Sequence, residues 1–188
     1  MKTNQVLFII SFCIVFAACQ QNKRKDNARK VVNEWVGKEI KFPEGIPCQS
    51  IDNEVVCMDY TNKTYKVIAY TDSTGCTSCR LKLPDWKRVI AEADSLFPGK
   101  MDFIFFFQPK TRDLKELVHL LKRDKFDYPV FIDTENRINK LNHFPAEMEF
   151  QCFLLDSNNK VIMVGNPTLN PKVWELYRQE VGGEAAAT

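Results

Sequence analysis

The chain has 188 residues, a formal net charge of +2 and 45% hydrophobic residues, including 14 Phe. That is enough for one domain with a full apolar core, so disulfides are not needed to replace a missing one. Acidic and basic residues are mixed and no basic stripe is interleaved with aromatics, which argues against a nucleic-acid surface.

Met1 and Lys2 open a short polar region, and residues 6–16 form an apolar run of signal-peptide length, too short for a comfortable membrane span. Phe16-Ala17-Ala18-Cys19 then stops it. Small residues just before a cysteine resemble the lipobox of bacterial lipoproteins, with Phe16 where an aliphatic residue is usual. The resemblance implies that residues 1–18 are a leader, that cleavage falls before Cys19, and that lipid on Cys19 ties the chain to a membrane. An ordinary signal peptide or an uncleaved anchor is the alternative. Residues 20–26 are a polar tether, and no acid directly follows Cys19. By resemblance to sorting signals, that fits an outer-membrane anchor facing the periplasm. Outside the cytoplasm thiols are open to oxidation, so cysteine pairs are expected to act.

Residues 26–36 read as a short helix with Val31, Val32 and Trp35 on one face, stopped by Gly37. An extended stretch (39–42) and a turn (43–47) lead to Cys48-Gln-Ser-Ile-Asp-Asn-Glu-Val-Val-Cys57. Asp52-Asn53 suits a two-residue hairpin turn. In that register Cys48 faces Cys57 in a non-hydrogen-bonded pair, with Cα atoms about 4.5 Å apart. That spacing admits a disulfide at the short end of its range. Two free thiols or another register remain the alternative.

Residues 65–71 are an apolar, β-branched strand that breaks at Asp72-Ser-Thr-Gly75, and Cys76-Thr77-Ser78-Cys79 follows. Leu81, Leu83, Trp86, Val89, Ile90 and Ala93 then recur at helical spacing, with a kink expected at Pro84. A helix start carries unpaired N–H groups and partial positive charge, which stabilise a thiolate and make it a nucleophile near neutral pH. Apart from Asp102, residues 101–107 are a continuous apolar run, as in a strand buried on both faces. A helix is expected from Thr111 as N-cap, with Leu114, Leu117, Val118 and Leu121 inward. Next come a short strand ending at Asp133, a short helix over 136–142, and a loop at His143-Phe144-Pro145. Residues 150–156 and 160–165 form an antiparallel hairpin. A last helix begins at Pro171 with Val173, Trp174 and Tyr177 inward, stops at Gly182-Gly183, and leaves a tail. His119 reads as a surface residue, His143 as a neighbour of the site, and Cys152 as a buried small hydrophobe.

This order resembles the thioredoxin fold, in particular the exported TlpA- and ResA-like thiol-disulfide oxidoreductases, over about residues 39–181. Cys76-Thr-Ser-Cys79-Arg80 with Pro84, residues 128–133 and residues 150–156 carry the likeness; a lone Cys-x-x-Cys would be weak. The resemblance implies an α/β, three-layer fold with a central mixed sheet, here with an N-terminal β-hairpin extension. The expected organisation is leader 1–18, tether and short helix 19–37, thioredoxin-like domain 38–183, and tail 184–188. It implies Cys76 as the attacking thiol and Cys79 as the resolving one, with protein thiols and disulfides as substrates and a separate redox partner. Pro145 would be the cis-proline beside the pair. Phe144, Thr77 and Ser78 would line the substrate groove, with the Phe144 backbone pairing with an extended substrate.

The chain also departs from the family. Gly75 stands where Trp often precedes the first cysteine, Lys82 where many TlpA-like proteins have Glu, and Tyr70 where thioredoxin has a buried Asp, so no general base is evident. Lys82 reads as a solvated helix lysine. The competing function is a thioredoxin-fold lipoprotein that binds a partner, with a purely structural Cys76–Cys79 bond. Zinc held by Cys48, Cys57, Cys76 and Cys79 is disfavoured, because structural sites use two tight ligand pairs. Arg80 in place of His excludes a c-type haem site. No cofactor or metal is expected.

Overall fold

The computed structural model describes residues 22–46, 48–49, 63–73 and 81–183. The leader, Cys19, Cys57, the rest of the expected hairpin, the Cys76–Cys79 stretch and the tail lie outside the described residues. The chain divides into two compact units at Trp35/Val36. The described part of the first is helix α1, residues 22–35. It starts within the expected polar tether, whose Lys and Arg residues are good helix formers. Gly37, at φ 86°, follows its end.

The second unit is built on a six-stranded sheet in the order β1-β4-β3-β2-β5-β6. The strands are β1 (Cys48–Gln49), β2 (Tyr65–Thr71), β3 (Met101–Phe107), β4 (Val130–Ile132), β5 (Cys152–Leu155) and β6 (Val161–Val164). β2, β3 and β4 run parallel, while β1, β5 and β6 are antiparallel to their neighbours. The expected mixed sheet is therefore present. The backbone of Cys48 pairs with Phe131 of β4.

Side chains alternate across the sheet. On one face Tyr65, Val67, Ala69, Phe105, Phe107, Cys152 and Leu154 share a core with three helices. These are α2 (Leu83–Leu96), α3 (Leu114–Arg123) and the C-terminal helix Pro171–Gly183. The spacing Leu83, Trp86, Val89, Ile90, Ala93 is the buried face of α2, and Trp86 sets its ring edge-on to Phe105 at 5.2 Å. Tyr177, fully buried, donates to Gly165 O at 2.9 Å. On the other face Phe106 stacks on Phe131 at 4.8 Å, and α4 (Arg137–Asn142) buries Ile138 completely. The C-terminal helix is thus α5. Helices on both faces of the sheet make three layers.

Three local expectations are corrected. Pro84 does not kink a helix interior. Lys82 turns left-handed (φ 49°, ψ 35°), so α2 starts at Leu83 with Pro84 in its first turn, where a missing N–H costs nothing. For the same reason Lys82 stands at the N-cap position, with no side-chain capping bond, and not within the helix. Thr111 is not an N-cap: a 3-10 turn, Thr111–Asp113, precedes α3.

Lys66, the one charged residue inside β2, is fully buried. Its Nζ donates to Ser157 O (3.0 Å) and Asn159 Oδ1 (2.7 Å) in the β5–β6 turn. Burial pushes its pKa down, and the nearby Asp156 and Asp102 oppose the shift.

Candidate active site

Cys76, Thr77, Ser78 and Cys79 lie outside the described residues, but the frame that carries them is described. β2 is the strand that leads to them, and its C-terminal end is tied down. Gln108 N donates to Thr71 O at 2.9 Å, and Ser73 N donates to Gln108 Oε1 at 3.1 Å. Ser73 and Leu81, the two flanks of the stretch 74–80, line one cleft together with Asp72, Gln108 and Lys110. This cleft sits at the carboxyl ends of parallel strands, where open α/β sheets bind ligands.

The Pro145 turn stands against the same strand end. Gln151, 3% exposed, accepts from Tyr70 N through its backbone oxygen at 2.9 Å. Its side-chain Nε2 donates to Pro145 O at 2.9 Å, to Ala146 O at 3.4 Å and to Asp72 Oδ2 at 3.2 Å. Pro145 and the exit from β2 are thus joined through one amide.

Two expectations at this turn are corrected. No peptide bond is cis among the described residues, and the bond before Pro145 is trans; the cis isomer is an expectation of the family resemblance, and a dipeptide does not encode it. Phe144 does not present its ring to a groove. The ring is 8% exposed and packs against Tyr70 (centroids 5.1 Å apart) and Phe153 (5.2 Å). Its backbone N–H donates to Asn139 Oδ1 at 2.7 Å, so that donor is occupied. Asn139 takes this place because His143 closes α4 in a left-handed conformation (φ 58°) and folds the chain back over the helix end.

Tyr70 lies near the end of β2 and is 3% exposed. Its hydroxyl donates to Asn136 Oδ1 at 2.8 Å. His143 is exposed, as is His119 on α3. Cys152 is a free, fully buried thiol, pushed up to about 12 by desolvation, with the Tyr177 hydroxyl 4.0 Å away opposing the shift. It is not a nucleophile near neutral pH. Among the described residues no three His, Cys, Asp or Glu side chains cluster as metal ligands, and no helix is long and apolar enough to cross a membrane.

Sequence reasoning assigned no role to Asp72, Asn139 or Gln151. For Gln151 a signal existed: it is the one polar residue in the apolar run 150–155.

No family model matches the chain, and no curated protein does. Solved structures do. A cysteine-to-serine mutant of PrxQ from Xylella fastidiosa has a TM-score of 0.56 at 11% identity, covering 80% of this chain and 96% of its own. A candidate thiol:disulfide interchange protein DsbE from Chlorobium tepidum has a TM-score of 0.53 at 17% identity, covering 79% and 96%. A thioredoxin-like protein in its oxidized form has a TM-score of 0.52 at 14% identity, covering 82% and 98%. The similarity extends over nearly the whole of each neighbour, and with the strand order and the helices on both faces it establishes that the chain has a thioredoxin-like fold, the fold expected from its likeness to the TlpA- and ResA-like proteins.

Proposed function

We propose that the chain is a membrane-anchored thiol-disulfide oxidoreductase acting on protein disulfides through Cys76 and Cys79. The Cys76 thiolate attacks a substrate disulfide, forms a mixed disulfide and releases one substrate thiolate, which takes up a proton. Cys79 then loses its proton and attacks Cys76 Sγ, leaving a Cys76–Cys79 disulfide and a fully reduced substrate. A separate redox partner returns the pair to the dithiol. Thr77, Ser78 and Pro145 border the substrate, and Phe144 acts as the buried support of the Pro145 turn. Residues 1–18 are the leader, Cys19 carries lipid, 19–37 form the tether, and 38–183 the catalytic domain on the periplasmic side of the outer membrane. Cys48 and Cys57 form a structural disulfide within the N-terminal hairpin extension.

The observation that carries the proposal is the frame. A Cys-x-x-Cys stretch departs from Ser73 and re-enters at Leu81 on one cleft of a thioredoxin-like sheet. The Pro145 turn is tied to the same strand end. Two thiols with that spacing between strand and helix suit exchange chemistry.

The test is trapping. Cys79→Ser removes the resolving thiol, so the variant is expected to accumulate mixed disulfides with client proteins through Cys76, cleared by reductant. A Cys76→Ser, Cys79→Ser chain should trap none. Equal trapping by both chains would contradict the assignment and leave the binding-module reading.

A further inference from the structure

Gln151 stands out among the buried polar groups. Burying an amide is unfavourable unless it is hydrogen-bonded, and the neighbours of Gln151 along the chain, Phe150, Cys152 and Phe153, are apolar and buried. Sheet pairing does not require its side chain, because Tyr70 N already bonds its backbone oxygen. Instead Nε2 spends its hydrogens sideways, on the carbonyls of the Pro145–Ala146 turn and on the Asp72 carboxylate. The bond to Asp72 is charge-assisted. Asp72 is the first residue after β2, four before Cys76. The other face of the turn is held independently, by Asn139 on Phe144 N.

We infer that Gln151 is a positioning residue for disulfide exchange: its single amide holds the Pro145–Ala146 turn against Asp72 and so fixes the substrate-side wall relative to the strand end that carries the cysteines. The inference rests on the exchange reading above. Without the amide the wall is held to the strand end less firmly, with the Phe144–Tyr70 packing still in place, and a substrate must supply the missing order on binding. The loss falls on substrate affinity, since neither Gln151 nor Asp72 is a thiol that reacts.

The experiment compares the full chain with Gln151→Met, Gln151→Glu, Asp72→Ala and the Gln151→Met, Asp72→Ala double variant, using a peptide disulfide as substrate. Gln151→Met keeps the volume and removes both donors. Its KM is expected to rise about five-fold, the worth of one net hydrogen bond, with kcat within about two-fold. Gln151→Glu keeps the reach but sets a carboxylate against Asp72 and the Pro145 carbonyl, and should raise KM at least as far at neutral pH. The double variant should be no worse than Gln151→Met, because Asp72 acts through the same amide. The inference is overturned if both Gln151 variants keep the KM of the parent, or if the two single effects multiply in the double variant. A parent chain that turns over no disulfide refutes the exchange reading, and this inference with it. That outcome is distinct from an active parent whose KM the substitutions leave unmoved.

Discussion

Phe144 adjoins the proline turn, and a groove-lining ring and a core ring there respond differently to truncation. In the structure the ring is 8% exposed and packs against Tyr70 and Phe153, with centroids at 5.1 and 5.2 Å. Removing a buried Phe side chain costs about 3–5 kcal/mol. Each aromatic contact adds about 0.5–1.5 kcal/mol beyond area, already contained in that range. The ring sits at the edge of the core, where the loop can partly close over the gap, so Phe144→Ala is placed at the low end, about 3 kcal/mol. With a urea slope of about 2 kcal/mol/M, the unfolding midpoint should fall by roughly 1.5 M. Phe144→Leu, which keeps most of the volume, should cost less than half as much. Urea unfolding followed by circular dichroism and fluorescence together reads both. A loss below about 0.5 kcal/mol for Phe144→Ala is the behaviour of an exposed residue, and would refute its placement in the core.

Cys152 and Tyr177 are acids that the folded core keeps protonated. Burial lifts the thiol from 9.0 to about 12 and the phenol well above 10.0. The unfolded chain loses these protons first, so the stability they contribute is complete below about pH 9 and is lost as pH rises toward 12. Urea midpoints should therefore fall between about pH 8 and pH 10.5, and fall less in Cys152→Ala; equal slopes would contradict the burial of the thiol. Asp133, 2% exposed, accepts Ile138 N through Oδ2 at 2.8 Å at the start of α4. Asp133→Ala leaves that N–H unpaired and should cost about 1–3 kcal/mol in the same urea series, whereas an unchanged midpoint would mean that water replaces the carboxylate.

The parts of the fold visible in the sequence are those set by local periodicity. The 3.6-residue spacing from Leu83 to Ala93 and the apolar runs 104–107 and 152–155 each bury the side chains that their patterns assign inward. Boundaries governed by one unusual dihedral were not visible. Lys82 adopts a positive φ that sequence does not announce, and with it Pro84 passes from a helix breaker to a first-turn residue. The site divided in the same way. The Cys-x-x-Cys spacing is a local pattern and could be read directly. The groups that shape its surroundings meet only in the folded chain: Gln151 reaches Asp72 across 79 positions and Tyr70 reaches Asn136 across 66. The place of Phe144 beside Pro145 in the sequence points to the groove. Its ring turns inward because Tyr70 and Phe153 offer it aromatic faces from adjacent strands.

The central claim, that Cys76 and Cys79 exchange with disulfides and do not merely staple the fold, is met most directly by a redox titration of the pair in the full chain. Equilibration in graded glutathione and dithiothreitol buffers, quenched with acid and read by alkylation and mass, yields its potential. An exchanger is expected to show a reversible two-electron transition between about −270 and −120 mV. A pair that stays oxidised below about −300 mV is a structural disulfide, and that result would contradict the account.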